Sequence, residues 1–292
     1  MERCHVCGNA TTEEKAYARI ALSDRVYLIC CPMCLTAIQA GAVQRRMVAK
    51  SHEAPRASVF VEYLPAGQVG GDYAWVHAVG RDLMYAVVAD VSGHGITSSL
   101  VASRIAPEIE RLARGRQPPA EFAEALNQLM WSTFSEERAY LTLFAALLDF
   151  EEREVRYVNC GHPPGLLWSE RYRSFARLQP EDFPVGLFEA ETFGIPRTKA
   201  MAFEIGDRLV LYTDGVLGLR QADGSELGEA GWHETMRAAM ERPLEESARN
   251  LFADLSAKHE ARPEDDLLVV VLDLHGGASA RQVQPVEPGS TP

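Results

Sequence analysis

Two periods of hydrophobic residues alternate along this chain and set out most of its predicted elements. Compact apolar runs rich in β-branched and aromatic residues recur at 58–63, 73–79, 83–89, 140–149, 154–159, 208–213 and 267–274, and each predicts a strand. Leu100, Val101, Ile105, Ile109 and Leu112 repeat at helical spacing after a glycine-rich turn at 93–95. Phe122, Leu126, Leu129, Met130 and Phe134 do the same after Pro118 and Pro119. A third helix is expected over 244–259, with Leu251, Phe252 and Leu255 turned inward. Strands joined by short turns, then a block of helices, then more strands predict an α+β fold. Its layers are mainly antiparallel sheets with segregated helices, not a regular βαβ alternation.

Ahead of the first strand the pattern changes. Leu35, Ile38, Val43 and Met47 fit one face of a short helix within 34–50, weakened at Gly41. Residues 51–56 include Pro55 and show no apolar period. The end of the chain is rich in Gly, Ser, Pro and Gln and is expected to be disordered. The division that follows is a cysteine-rich module with a trailing helix at 1–50, a linker at 51–57, the principal domain at 58–275 and a tail at 276–292.

Composition narrows the class of protein. Of 292 residues, 47% are hydrophobic and 24% charged, which suits a folded protein with a sizeable core. A formal net charge of −12 opposes nucleic acid or an anionic membrane as the main partner. No apolar run approaches the roughly 20 residues that cross a bilayer, so no membrane span is expected. The opening Met1-Glu2-Arg3-Cys4 is unlike an export signal, and the expected location is cytoplasmic.

Five of the six cysteines lie between Cys4 and Cys34. Cys4-His5-Val6-Cys7-Gly8 and Cys30-Cys31-Pro32-Met33-Cys34 form two paired-cysteine knuckles. Four thiolates can close a tetrahedral site whose binding energy folds a segment too small to fold alone, and one Zn²⁺ is the first expectation. The segment resembles small metal-binding modules of the treble-clef or TRASH type. In that pattern Cys4, Cys7 and Cys34 are ligands and the fourth is Cys30 or Cys31. The spare thiol leaves sensing of copper or oxidation open. Cys160 stands apart and reads as a packed core residue.

On the strand map the acidic residues fall at strand ends: Asp72 just before a strand, Asp90 and Asp214 at the ends of two others, and Asp265 with Asp266 before the last. Ends of antiparallel neighbours can share one edge of a sheet. Carboxylates gathered there repel one another unless protonated or bound to cations, and so many hard oxygen ligands favour Mg²⁺ or Mn²⁺ over zinc. Taken singly, each Asp beside Gly is more readily a turn. Taken together, they point to a metal centre.

These acids sit in five ordered motifs: Gly70-Gly71-Asp72-Tyr73, Ala89-Asp90-Val91-Ser92-Gly93-His94-Gly95, Asn159-Cys160-Gly161-His162-Pro163-Pro164, Tyr212-Thr213-Asp214-Gly215-Val216 and Asp265-Asp266. In order and spacing they resemble the PPM metal-dependent serine/threonine phosphatases, in the branch of sporulation protein E and the sigma-factor regulators. The resemblance implies a layered α-β-β-α sandwich holding two Mn²⁺ or Mg²⁺ ions. Asp90 would bridge the two ions, helped by the Val91 carbonyl; Asp214 and Asp265 would hold the second, with Asp72 in contact directly or through water. Asp266 is implied only as a neighbour. The ions would activate a water that attacks the phosphoryl group. His94 is either a proton donor to the leaving oxygen or a turn residue, and His162 is implied to be structural.

The implied substrate is a phosphorylated protein, an anti-sigma-factor antagonist in this branch, with homodimerisation through the trailing helix a further expectation. The chain departs from the pattern in two places: Ala74 and Trp75 stand where a second acid often follows the first motif, and Leu268 stands where a threonine often follows the final acids. The rival reading is a metal- or redox-sensing scaffold whose phosphatase domain is degenerate.

Overall fold

A computed structural model describes residues 2–4, 10–11, 15–22, 25–32, 34, 41, 44, 47–48, 50–93, 95–221, 223–242 and 263–276. At the N-terminal end, β1 (Glu2–Arg3) pairs with β2 (Ala10–Thr11), and β3 (Ala18–Leu22) with β4 (Arg25–Ile29). The rest builds two antiparallel sheets. β5 (His52–Glu53), β6 (Ala57–Leu64), β11 (Gly165–Ser169), β12 (Ser174–Leu178), β14 (Arg208–Tyr212) and β15 (Leu267–Leu274) form one, in the order β12-β11-β14-β15-β6-β5. β7 (Asp72–Ala78), β8 (Leu83–Val91), β9 (Leu141–Asp149), β10 (Glu154–Cys160) and β13 (Lys199–Ala202) form the other, in the order β13-β10-β9-β8-β7.

The central strands are apolar almost throughout because both of their faces are covered. On β8, Tyr85, Val87, Ala89 and Val91 face helices α1 (Ile96–Arg114) and α2 (Pro119–Phe134), packing with Ile105, Ile109, Phe122 and Leu126. Alternate residues Met84, Ala86 and Val88 face the second sheet, where Leu268, Val270 and Leu272 of β15 meet them. The opposite face of β15, with Val269 and Val271, is covered by Trp232, Met236 and Met240 of α4 (Gly228–Met240). A short α3 (Ala190–Phe193) lies between β12 and β13 in the chain. The result is the α-β-β-α sandwich of the α+β class that the motifs imply.

All seven expected strands form, within a residue or two of their expected ends. Four differences have physical causes. The stretch 51–57, expected as a linker, contributes β5, which pairs His52 with Val59 and Glu53 with Ser58 at the sheet edge. Leu100, expected inward, is 65% exposed, because the buried stripe of α1 runs through Val101, Ile105, Ile109 and Leu112 and Leu100 falls outside it. Strands β11, β12 and β13 are too short to show a clear period. Helix α4 was not expected, since Gly228 and Gly231 weaken its signal. The helix expected at 244–259 and the tail beyond 276 lie outside the described residues. Among the described residues, no helix is long and apolar enough to cross a membrane.

Trp232 is fully buried under the six-stranded sheet, whereas Trp131 on α2 is 37% exposed. Trp232→Ala is expected to cost about 3–5 kcal/mol and Trp131→Ala far less, read as midpoints of urea unfolding; equal midpoints would show that α4 does not dock on the sheet.

Candidate active site

Four short stretches of backbone bring the acids together. Asp72 opens β7 and lies opposite Asp90 of β8 in the ladder, so the five-stranded sheet supplies two carboxylates side by side. β14 and β15 are antiparallel neighbours in the other sheet; Asp214 follows the first in a 3₁₀ turn, and Asp265 and Asp266 immediately precede the second. The expected acids from both sheets thus meet at one end of the sandwich. Asp72 and Asp266 are buried, Asp90 is half-buried, and Asp214 and Asp265 are exposed, so the cluster opens to solvent on the side of the six-stranded sheet.

Two contacts tie the sheets together at this end. The Thr213 hydroxyl donates to Asp72 Oδ2 at 2.7 Å and accepts the Leu268 N–H at 3.1 Å. Asp266 accepts the Ala66 N–H on one oxygen at 2.8 Å and the Gly71 N–H on the other at 2.6 Å. With both oxygens engaged by backbone amides, Asp266 serves the loop before β7, and Asp265 stands free of that loop with one oxygen on the Asp266 N–H at 2.8 Å. The loop can approach so closely because residue 70 is glycine: a Cβ there would lie 1.9 Å from Asp266 Oδ2. A Cβ on Gly215 would lie 2.0 Å from the Asp266 carbonyl oxygen, which explains the glycine after Asp214. The Val91 N–H donates to the Gly71 carbonyl at 3.4 Å, which holds Val91 beside the same loop.

Burial first, and crowding after it, make Asp72, Asp90, Asp214 and Asp266 hold protons unusually tightly. Burial, then the charges of Asp90 and Asp266, push Asp72 well above the usual carboxylate range, against the opposing Thr213 hydrogen bond. Asp90 is pushed up to about 7 by burial and by Asp214 and Asp265. Asp214 is raised by burial and Asp265, and Asp266 by burial despite its amide donors. A site that draws protons so strongly is one that divalent cations would discharge, and its all-oxygen donors suit Mg²⁺ or Mn²⁺.

His94 lies outside the described residues. His162 is fully buried; burial lowers it to about 3, which keeps the ring neutral, and its Nδ1 shares a 2.8 Å hydrogen bond with the Thr142 hydroxyl. Thr142 lies opposite Asp90 on β9, so His162 supports the site from behind. The three departures are all core positions. Ala74 and Leu268 pack between the sheets and Trp75 packs toward α1, places where a carboxylate or hydroxyl would be stranded. Cys160 is buried as expected, and burial pushes its thiol up.

In the N-terminal part, the sulfur atoms of Cys4, Cys30 and Cys34 lie within 4.8 Å of one another. Cys30 and Cys34 are 3.7 Å apart at sulfur, and Cys31 and Cys34 3.5 Å. A tetrahedral zinc site with bonds of about 2.3 Å requires sulfur separations of about 3.8 Å, so the spacing fits. Cys31 is not in the three-cysteine group, and Cys7 lies outside the described residues.

Two residues that position the acids were not singled out from sequence. Thr213 sat inside a quoted motif without a role. Gln44 carried no signal at all, yet its side chain pairs with the backbone of Gly70.

Residues 80–275 match the family described as Stage II sporulation protein E (SpoIIE). Phosphoserine phosphatase RsbP of Bacillus subtilis (strain 168) is 28% identical over 158 residues, covering 53% of this chain and 38% of RsbP. Phosphoserine phosphatase RsbU of the same strain is 25% identical over 210 residues, covering 72% of this chain and 61% of RsbU. The chain thus spans less than two thirds of the length of either relative. Among solved structures, the SiaA-PP2C domain of Pseudomonas aeruginosa superposes with a TM-score of 0.71 at 20% identity, covering 83% of this chain and 97% of that one.

The raised carboxyls make a prediction for the metal-free protein. Asp90 titrates near 7 when folded against an ordinary 3.8, so between those values the folded chain binds more protons and stability falls as pH rises. Asp90→Asn is expected to raise the melting temperature of metal-free protein at pH 7.5, at about 2–4 °C per kcal/mol, and to show little advantage at pH 4. A lower melting temperature at pH 7.5 would mean that the cluster is not self-repelling.

Proposed function

Because the chain belongs to the Stage II sporulation protein E family, we propose that it is a metal-dependent protein phosphatase that hydrolyses phosphoserine and phosphothreonine. The observation that carries this reading is the meeting of Asp72 and Asp90 from one sheet with Asp214 and Asp265 from the other. Those four carboxylates and the Val91 carbonyl are the proposed ligands of two Mn²⁺ or Mg²⁺ ions. Such ions, held by these residues, would supply charge to neutralise the phosphoryl oxygens and would acidify the attacking water. Asp266 and Thr213 hold the loop and Asp72 in place for this. His94 is the proposed donor of a proton to the departing serine or threonine oxygen.

The open side of the cluster, bounded by exposed Asp214 and Asp265, suits a phosphorylated side chain presented on a protein surface. An anti-sigma-factor antagonist is the proposed substrate, in keeping with the branch that the motifs resemble. The named relatives are phosphoserine phosphatases. The cysteine module is proposed to hold one Zn²⁺ through Cys4, Cys30 and Cys34, with Cys7 or Cys31 completing the set. Dimerisation through the helix that follows the module belongs to the same proposal.

Phosphate release from a phosphoserine protein is expected with Mn²⁺ and not after chelation, and Asp90→Asn and Asp214→Asn are each expected to lower it at least about 100-fold. Turnover that survives both substitutions would place the chemistry elsewhere. Metal analysis of the full chain is expected to return one zinc per chain, lost in Cys34→Ser; zinc retained in that variant would remove Cys34 from the ligand set.

A further inference from the structure

Strand β7 ends the order of one sheet and β5 ends the order of the other, and beside them a cavity of about 520 Å³ opens between β7, α1 and the approach to β5. Side chains alternate along β7. Asp72, Ala74 and Val76 face the six-stranded sheet, whereas Tyr73, Trp75 and His77 face the other way and line the cavity. The cavity is therefore separate from the acid cluster, on the opposite face of the same strand. His52 of β5 stacks on His77 with ring centroids 5.0 Å apart, and Trp75 lies 4.8 Å from His77, so one wall is a run of aromatic rings. Burial, then His52 and Arg114, lower His77, which keeps its ring neutral. The facing wall belongs to α1. Arg114 sets its guanidinium 5.5 Å from the centre of the Trp75 ring, and Glu110, one turn earlier, accepts its Nε at 2.8 Å. Both outer nitrogens of Arg114 are then without a hydrogen bond among the described residues, and exposed Lys50 pairs with no carboxylate among them. Tyr73 and Trp75 are each 4% exposed, yet neither the hydroxyl nor the indole N–H has a partner among the described residues.

We propose that this cavity is a binding site for a small planar aromatic molecule that carries an anionic group, no larger than a mononucleotide. Its volume lies within the roughly 300–1,000 Å³ of small-molecule sites, and its lining combines aromatic surface with a few polar groups, as such sites do. The aromatic wall offers a stacking surface for a flat ring. The sign of the charge follows from the lining: with the histidines counted neutral, Lys50 and Arg114 against Glu110 leave an excess of one positive charge, in a chain whose net charge is −12. A planar cation would be opposed by the guanidinium that already covers Trp75. The free nitrogens of that guanidinium suit a carboxylate or a phosphate instead. A bare hydrocarbon would leave the Tyr73 hydroxyl and the Trp75 N–H unpaired, at a cost that acceptors on the ligand remove. Nucleotide monophosphates and aryl or indole carboxylates share this chemistry. The proposal does not depend on the reading of the acid cluster as a phosphatase centre.

Calorimetric titration of the full chain, without added Mn²⁺ or Mg²⁺, uses two pairs of probes that differ in charge: GMP against guanosine, and indole-3-acetate against tryptamine. Saturable binding is expected for GMP, for indole-3-acetate or for both, at least about tenfold tighter than for the uncharged or cationic member of the pair. Whichever anion binds identifies the source of the ring. Arg114→Gln, at an exposed position, and His77→Ala are each expected to weaken that binding about tenfold, while Asp214→Asn leaves it unchanged. Should His77→Ala fail to fold, His52→Ala removes the other ring of the stacked pair and gives the same comparison. Four results each overturn the proposal: neither anion saturating below about 1 mM, guanosine or tryptamine binding as tightly as its charged counterpart, parent-like affinity in Arg114→Gln, and loss of binding in Asp214→Asn, which would move the ligand to the acid cluster.

Discussion

The gathering of Asp72, Asp90, Asp214, Asp265 and Asp266 at one partly buried end, where burial and then mutual repulsion oppose their charge, is the constraint on which the rest of the sandwich depends. Carboxylates in such number would drive a flexible chain apart. Here they are anchored on the ends of strands whose interiors are packed on both faces, so the repulsion cannot relax by moving the backbone. The sheets are clasped where the acids meet, by the Thr213 hydroxyl on Asp72 and by the amides of Ala66 and Gly71 on Asp266. Burial and mutual repulsion both work against charge on these carboxyls, and bound cations would offset that cost.

The division of labour between the two final aspartates follows from that geometry. Asp266 is spent on backbone amides and keeps a loop in place, while its neighbour points a carboxylate toward solvent. Adjacent identical residues thus take opposite parts: at the bend ahead of β15, Asp266 is buried against the loop and Asp265 is exposed.

Much of this was legible in the sequence, and the gaps have reasons. Continuous apolar runs such as Leu83–Val91 and Leu267–Leu274 announced the buried strands, and the acids at their ends announced the site. Only the resemblance separates Asp265 from Asp266, because the physical distinction depends on a loop at residues 66–71 about two hundred positions away in the chain. Helix α4 escaped notice because its buried residues Trp232, Met236 and Met240 are separated by polar ones and preceded by two glycines. Gln44 is an ordinary amide in a mixed apolar and basic stretch, and its significance comes from the backbone it meets. The cysteine knuckles were plain from spacing, and three of their thiols do converge. A one-letter pattern records what a side chain is; partners far along the chain decide what it does.

Among the described residues ahead of β6, the links to the sandwich are local. Strand β5 contributes two residue pairs to the sheet edge, Gln44 sets its amide on Gly70, Met47 packs against the apolar layer under α1 and Val48 enters the core between the sheets. A joint of this kind is modular in the evolutionary sense: at the described positions the sandwich asks for an amide on Gly70 and two apolar side chains against its layers. A different receiver of signals could be grafted ahead of the same catalytic core with little alteration of either, provided that its helix arrives in register.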